Sequence, residues 1–144
     1  MTHNLLAEWA LLHRKLSGLR GAMLAAHEAH GWTPTTDVVE CAEGLLVRME
    51  LAGVEHPQVR ARLESGALVV EGVRPSPCAT ARRTGLRFWQ MELDYGPFRR
   101  VVPLPFPVAG AGAEARLAHG LLEIFLPRAE QPCGPMILTV VMSA

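Results

Sequence analysis

From Asp37 to Leu126 apolar residues recur at every second position, in stretches of four to eight that end at Gly or Pro. A two-residue period sends successive side chains to opposite faces, so such a segment buries one face only as a strand. Val38 to Cys41 alternates, and Gly44 marks a turn. Leu45, Val47, Met49 and Leu51 then share one face and Leu46, Arg48 and Glu50 the other, up to the turn at Ala52-Gly53. Val59, Ala61 and Leu63 alternate with Arg60, Arg62 and Glu64, and Ser65-Gly66 turns the chain into Ala67–Glu71, which reads as a hairpin. Leu86–Glu92 is a short strand candidate, and Phe98–Val102 is another, closed by Pro103-Leu104-Pro105-Phe106-Pro107. Ala113, Ala115 and Leu117 lead to a turn at His119-Gly120, and Leu122, Ile124 and Leu126 line one face of a strand ending at Pro127. Short strands at this spacing, separated by turns, predict an all-β antiparallel sandwich.

Two segments fall outside that pattern. Residues 1–31 form an N-terminal arm in which Leu5, Trp9, Leu12, Leu16, Leu19 and Met23 recur at spacings of four and three. That spacing makes one apolar face of an amphipathic helix. Residues 129–144 form a C-terminal extension rich in aliphatic side chains, after a stiff Pro132-Cys133-Gly134-Pro135 stretch. The sandwich occupies 32–128 and reads as self-sufficient, so the apolar face of the arm either packs on that core or, as self-sufficiency favours, contacts other subunits or the apolar surface of another protein.

Charge narrows the partners. The 14 basic and 14 acidic residues cancel, which disfavours nucleic acid, whose binders carry a basic excess. The imbalance is local: six arginines between Arg74 and Arg100 face only Glu92 and Asp94. Guanidinium groups in such a loop suit ion pairs with a second subunit. Cys41, Cys78 and Cys133 form no CxxC pair and are odd in number, so a reduced, cytoplasmic setting without a disulfide framework is expected. No signal peptide and no membrane span are expected, since the apolar runs fall far short of ~20 residues.

Chemistry has little support. GxxxxGK[ST] and GxSxG are absent, and His27-Glu28-Ala29-His30 is not HExxH and has no third ligand at metal spacing. The expectation is a protein with no catalytic residues, no metal and no cofactor. His56 and His119 read as solvated turn residues, and the cysteines as small hydrophobes, with Cys133 the most exposed.

Five motifs in order resemble the α-crystallin domain of small heat-shock proteins. Trp32-Thr33-Pro34-Thr35-Thr36-Asp37-Val38-Val39-Glu40 resembles its opening segment, and Glu50-Leu51-Ala52-Gly53-Val54 its E-L-P-G-V turn. Leu68-Val69-Val70-Glu71-Gly72 is similar to L-x-V-x-G, and Tyr95 to Pro105 to Y-G-x-F-x-R-x-x-x-L-P. Ala115 to Leu122 resembles A-x-x-x-n-G-V-L, with His119 in place of the usual Asn or Asp.

The resemblance implies an immunoglobulin-like sandwich and an ATP-independent holdase that binds unfolding clients and works as an oligomer of dimers. It implies client binding on the arm (Leu5, Trp9, Leu12, Leu16, Leu19) and a dimer interface at Phe88, Trp89, Glu92 and Arg100. The strand exchanged between partners would run from about Arg87 to Glu92. It also implies that Leu138 and Val140 anchor the tail in a neighbouring subunit's groove, with walls at Val59, Leu63 and Leu117. The competing reading is a non-chaperone adaptor on a p23-like sandwich that docks one specific partner.

Overall fold

The computed structural model describes residues 31–80 and 83–143, together with residues 8 and 11. Among them are nine strands: β1 (Thr36–Cys41), β2 (Gly44–Glu50), β3 (Val59–Glu64), β4 (Ala67–Arg74), β5 (Gly96–Pro103), β6 (Glu114–Ala118), β7 (Leu121–Pro127), β8 (Met136–Leu138) and β9 (Val140–Met142). A 3-10 turn over His56–Gln58 precedes β3, and a helical turn over Pro77–Thr80 follows β4. The strands form two sheets, ordered β1-β2-β7-β6-β9 and β5-β4-β3-β8. Every pairing is antiparallel except the parallel β6–β9 ladder.

The period-two faces are the faces that pack. Leu45, Val47, Met49 and Leu51 on the first sheet, with Leu122, Ile124 and Leu126 beside them, are at most 1% exposed. Opposite them lie Ala61 and Leu63 of β3, Leu68 and Val70 of β4, and Phe98 and Val102 of β5, all in the same buried cluster. Residues of the other parity, such as Arg48, Arg60 and Arg99, face outward. β1 is the exception: Val38 and Val39, on opposite faces, are 46% and 49% exposed, so this edge strand is covered on neither side.

Turn chemistry is legible at two positions. His119 has φ 52° and Gly120 φ 77°, and left-handed backbone tolerates His, Asn or Gly far better than a branched residue. Gly44, expected as a turn residue, is the first residue of β2, and the turn itself is Ala42-Glu43. Its glycine is needed for close approach: a Cβ there would stand 2.1 Å from the Leu126 carbonyl oxygen on β7.

Two other expectations change. Leu86–Glu92 forms no strand and lies in the exposed loop between β4 and β5. A strand exists only by ladder pairing, and residues 86–92 join neither sheet. The C-terminal extension, in contrast, adds one strand to each sheet.

The Gly44 contact yields a paired prediction. Gly44→Ala is expected to destabilise the fold by about 2 kcal/mol through backbone overpacking. Gly134→Ala, where a Cβ meets nothing within 4 Å, is expected to stay within about 0.5 kcal/mol of the parent. Urea unfolding checks both, and equal effects would refute the close-approach account.

Candidate protein-interaction sites

Without the extension, β3 and β6 would be the open edges of their sheets, facing each other along one flank. Their inward side chains, Val59, Ala61 and Leu63 on β3 and Ala115 and Leu117 on β6, form the walls of a groove. The tail fills it. After β7, Arg128 bridges to Val108, and the Ala129 N–H donates to the Pro107 carbonyl at 2.9 Å. Cys133 then packs against the core. β8 pairs with β3 in the register Ala61↔Leu138, Arg62↔Ile137, Leu63↔Met136. At Thr139 the chain changes sheets, and β9 pairs with β6 as Ala115↔Val140, Arg116↔Val141, Leu117↔Met142.

Alternation makes the docking possible, because Leu138 and Val140 share one face of an extended segment. Both lie in the groove, at 5% and 7% exposure, and both join the core cluster. Burying two such side chains is worth about 3–6 kcal/mol before the cost of ordering the segment. The His56 ring Nε2 donates to the Val140 carbonyl, and the Ser143 N–H donates to the Leu117 carbonyl at 3.2 Å. His56, expected as a solvated turn residue, therefore holds the tail. Its sequence signal was only its place beside Pro57 at the mouth of β3.

The residues expected at a dimer interface divide between two places. Phe88, Trp89 and Glu92 lie in the loop, with Trp89 60% and Leu93 64% exposed, and Glu92 accepts a hydrogen bond from Gln90 Nε2 at 2.7 Å. Arg100 sits on β5 at the parity of Phe98 and Val102, and its Nη1 donates to the Pro34 carbonyl at 3.4 Å. It thus reaches toward the segment that leads into β1.

The base of the loop is held by a group that sequence reasoning had counted only as one basic residue among six. Arg74 is 8% exposed at an inward parity of β4, and a charge at a core position was the available signal. Its guanidinium lies 4.1 Å from the Trp32 ring centroid, and its Nη1 donates to the Asp94 carbonyl at 3.0 Å. Its Nη2 is 3.5 Å from Glu50 Oε1. Trp32 is itself fixed: its backbone N–H donates to Pro97, its Nε1 to Gly96, each at 3.0 Å, and its ring meets Phe98 edge-on at 5.3 Å. One buried cation thus joins the start and end of the loop to the point where the arm leaves the sandwich.

On the outer face of the second sheet, Glu71 accepts from Arg62 at 2.9 and 3.2 Å and from Arg99 at 3.0 Å, while Arg62 also pairs with Glu64. The Arg62 hydrogen bonds hold the Glu71 carboxyl below its ordinary range, and the Glu71 and Glu64 bonds raise Arg62 in turn. A cleft of about 290 Å³ lies between the β3–β4 turn and residues 104–108, with Pro132 and Cys133 on its wall. Among the described residues no group of three His, Cys, Asp or Glu side chains could hold a metal ion. No helix among them is long and apolar enough to cross a membrane. Leu5, Trp9, Leu12, Leu16 and Leu19 lie outside the described residues.

A two-sheet antiparallel sandwich of this order, flanked by a long β4–β5 loop, is the fold of α-crystallin domains. The chain belongs to the Hsp20/alpha crystallin family, whose model matches residues 37–137. It is 29% identical over 99 residues to heat shock protein 16 of Schizosaccharomyces pombe, covering 69% of this chain and 68% of that one. It is 26% identical to small heat shock protein C2 of Rickettsia felis, covering 68% and 62%. The matches span 56 to 68% of the length of these and three further relatives. Among solved structures it resembles hspA from Xanthomonas axonopodis at TM-score 0.60 and 30% identity, covering 68% of this chain and 95% of that one. It also resembles a small heat-shock protein from Xylella fastidiosa at TM-score 0.58 and 27% identity, covering 71% and 93%.

The Glu71 cluster sets a pH dependence. A carboxyl lowered in the folded state contributes stability that is complete above its ordinary value of 4.5 and is lost as pH falls through the lowered value. Glu71→Gln is therefore expected to lessen the acid-side loss of stability, measured by urea unfolding at about pH 7 and about pH 3. Identical losses in parent and variant would refute this assignment.

Proposed function

We propose that this protein is an ATP-independent holdase that covers apolar surface on unfolding proteins and works as an oligomer of dimers. Membership of the Hsp20/alpha crystallin family supports the reading. The observation that carries the dimer is a complementary pair of unfinished features. The loop 83–95 exposes Phe88, Trp89 and Leu93, and β1 is an edge strand with Val38 and Val39 uncovered. A loop segment about Arg87 to Glu92 from a second copy would complete that edge by β-augmentation, with its aromatic side chains fixing the register. Arg100, held at Pro34 beside β1, would stand next to the incoming strand.

Clients would meet the arm, in which Leu5, Trp9, Leu12, Leu16 and Leu19 recur at spacings of four and three. Burial of apolar area is non-directional, at about 25 cal/mol per Å², so one arm can serve many clients. The free thiols of Cys41, Cys78 and Cys133 fit a reducing compartment such as the cytoplasm. Assembly beyond the dimer agrees with the Xylella fastidiosa relative, whose structure is described as a distinct high order structure.

Heating a model enzyme with substoichiometric protein and no ATP is expected to give reduced light scattering, and unchanged scattering at every ratio would refute the holdase. Trp89→Glu is expected to lower the native mass toward the single chain, with the unfolding free energy of the sandwich within about 0.5 kcal/mol of the parent. An unchanged mass would refute loop exchange, and a monomeric parent would favour the adaptor reading.

A further inference from the structure

We infer that the outer face of the first sheet is a self-complementary surface on which a second copy of this chain packs face to face. The register carries the inference. Asp37 of β1 stands opposite Arg48 of β2, Arg48 opposite Glu123 of β7, and Glu123 opposite Arg116 of β6. All four point outward, since their neighbours of the other parity, such as Val47, Ile124 and Ala115, fill the core. The row therefore reads acid, base, acid, base across four strands. Beside it a second row holds Val39, Leu46, Phe125 and Glu114 in the same strand order. Val39 is exposed, Leu46 and Phe125 are half-buried, and none of the three joins the core cluster.

A two-fold contact requires one patch to complement itself. An axis in the plane of contact, running along the strands between β2 and β7, sets β1 over the other copy's β6 and β2 over its β7. The charged row then meets its own reverse: Asp37 of each copy faces Arg116 of the other, and Arg48 faces Glu123. In the second row Leu46 faces Phe125 at the axis, while Val39 and Glu114 fall at the rim. Turning the axis by a right angle would set every charge on its own like, so the row selects one arrangement.

The ends of the row are where a partner is wanting. Arg48 Nε already donates to Glu123 Oε1 at 3.0 Å. Asp37 and Arg116 make no ion pair among the described residues. Three strand spacings separate them, about 14 Å, so neither can satisfy the other within one chain. A strand added at the β1 edge would extend the sheet in its own plane and leave this face open. The inference is thus a second contact between copies, and it depends on neither loop exchange nor the holdase reading.

Charge reversal in the full chain tests it. Asp37→Arg leaves a base at both ends of the row, and Arg116→Asp leaves an acid at both, so each variant repels its own copies and attracts the other's. Sedimentation over a dilution series at about 0.05 M salt, where screening is weak, reads the concentration at which the native particle half-dissociates. Each variant alone is expected to raise that concentration about 10-fold, and an equal mixture of the two to restore the parent value. Both changes placed in one chain are expected to restore it as well. Arg60→Asp, a like change of charge on the outer face of the second sheet, is expected to leave it within about twofold. Single variants that match the parent, the result if the chain's own arm covers the face, would overturn the inference. A mixture no tighter than its components would do the same, as would an Arg60→Asp shift of equal size or a parent that is a single chain at every concentration.

Discussion

The facing edges of β3 and β6 are the constraint around which the molecule is arranged. Each is a row of backbone donors and acceptors, and between them the inner faces of the two sheets open to solvent. A single extended segment satisfies both, because it pairs with β3 over three residues, changes sheets at Thr139 and pairs with β6 over three more. The same segment fills the apolar slot with Leu138 and Val140. The tail thereby adds one strand to each sheet of the sandwich.

The opposite flank is solved differently. β1 presents an open edge and two exposed valines, and the loop beside it carries exposed aromatic and aliphatic side chains. Arg74 holds that loop at its base and stacks on Trp32, where the arm departs. A buried guanidinium is costly unless it is paired, and here Nη1 and Nη2 reach Asp94 and Glu50 while the plane lies over the Trp32 ring, leaving only Nε without a hydrogen-bond partner. The proposed dimer would thus inherit a loop whose base is held by the same residue that packs on Trp32, where the sandwich begins.

Much of this was legible because period two is a local property. The buried faces of β2, β3, β4 and β7 follow from alternation, and the turns at Ala52-Gly53, Ser65-Gly66 and His119-Gly120 from residues that accept unusual backbone angles. Gly44 was misread because its glycine serves a neighbouring strand, and nothing within five residues reports the Leu126 carbonyl. Leu86–Glu92 has the composition of a strand but joins neither sheet, because a ladder needs a second strand and the composition of one segment does not supply it. Arg74 and His56 were passed over because each acts on residues far along the chain, Trp32 and Asp94 in one case and Val140 in the other.

By itself, the sequence determined the class of fold, since only strands in a sandwich can bury one face of so many short alternating stretches. It also determined that Leu138 and Val140 point the same way and that the family's motifs stand in order. Tertiary structure decided how those two side chains are used: Leu138 is buried against β3 and Val140 against β6, on either side of the point where the segment changes sheets. The sequence writes only a complementary pair, an aliphatic-x-aliphatic segment and a slot. Bringing the two together depends on the pinning at Ala129 and Cys133 and on the meeting of the β3 and β6 edges along one flank, which exist only once the chain has folded.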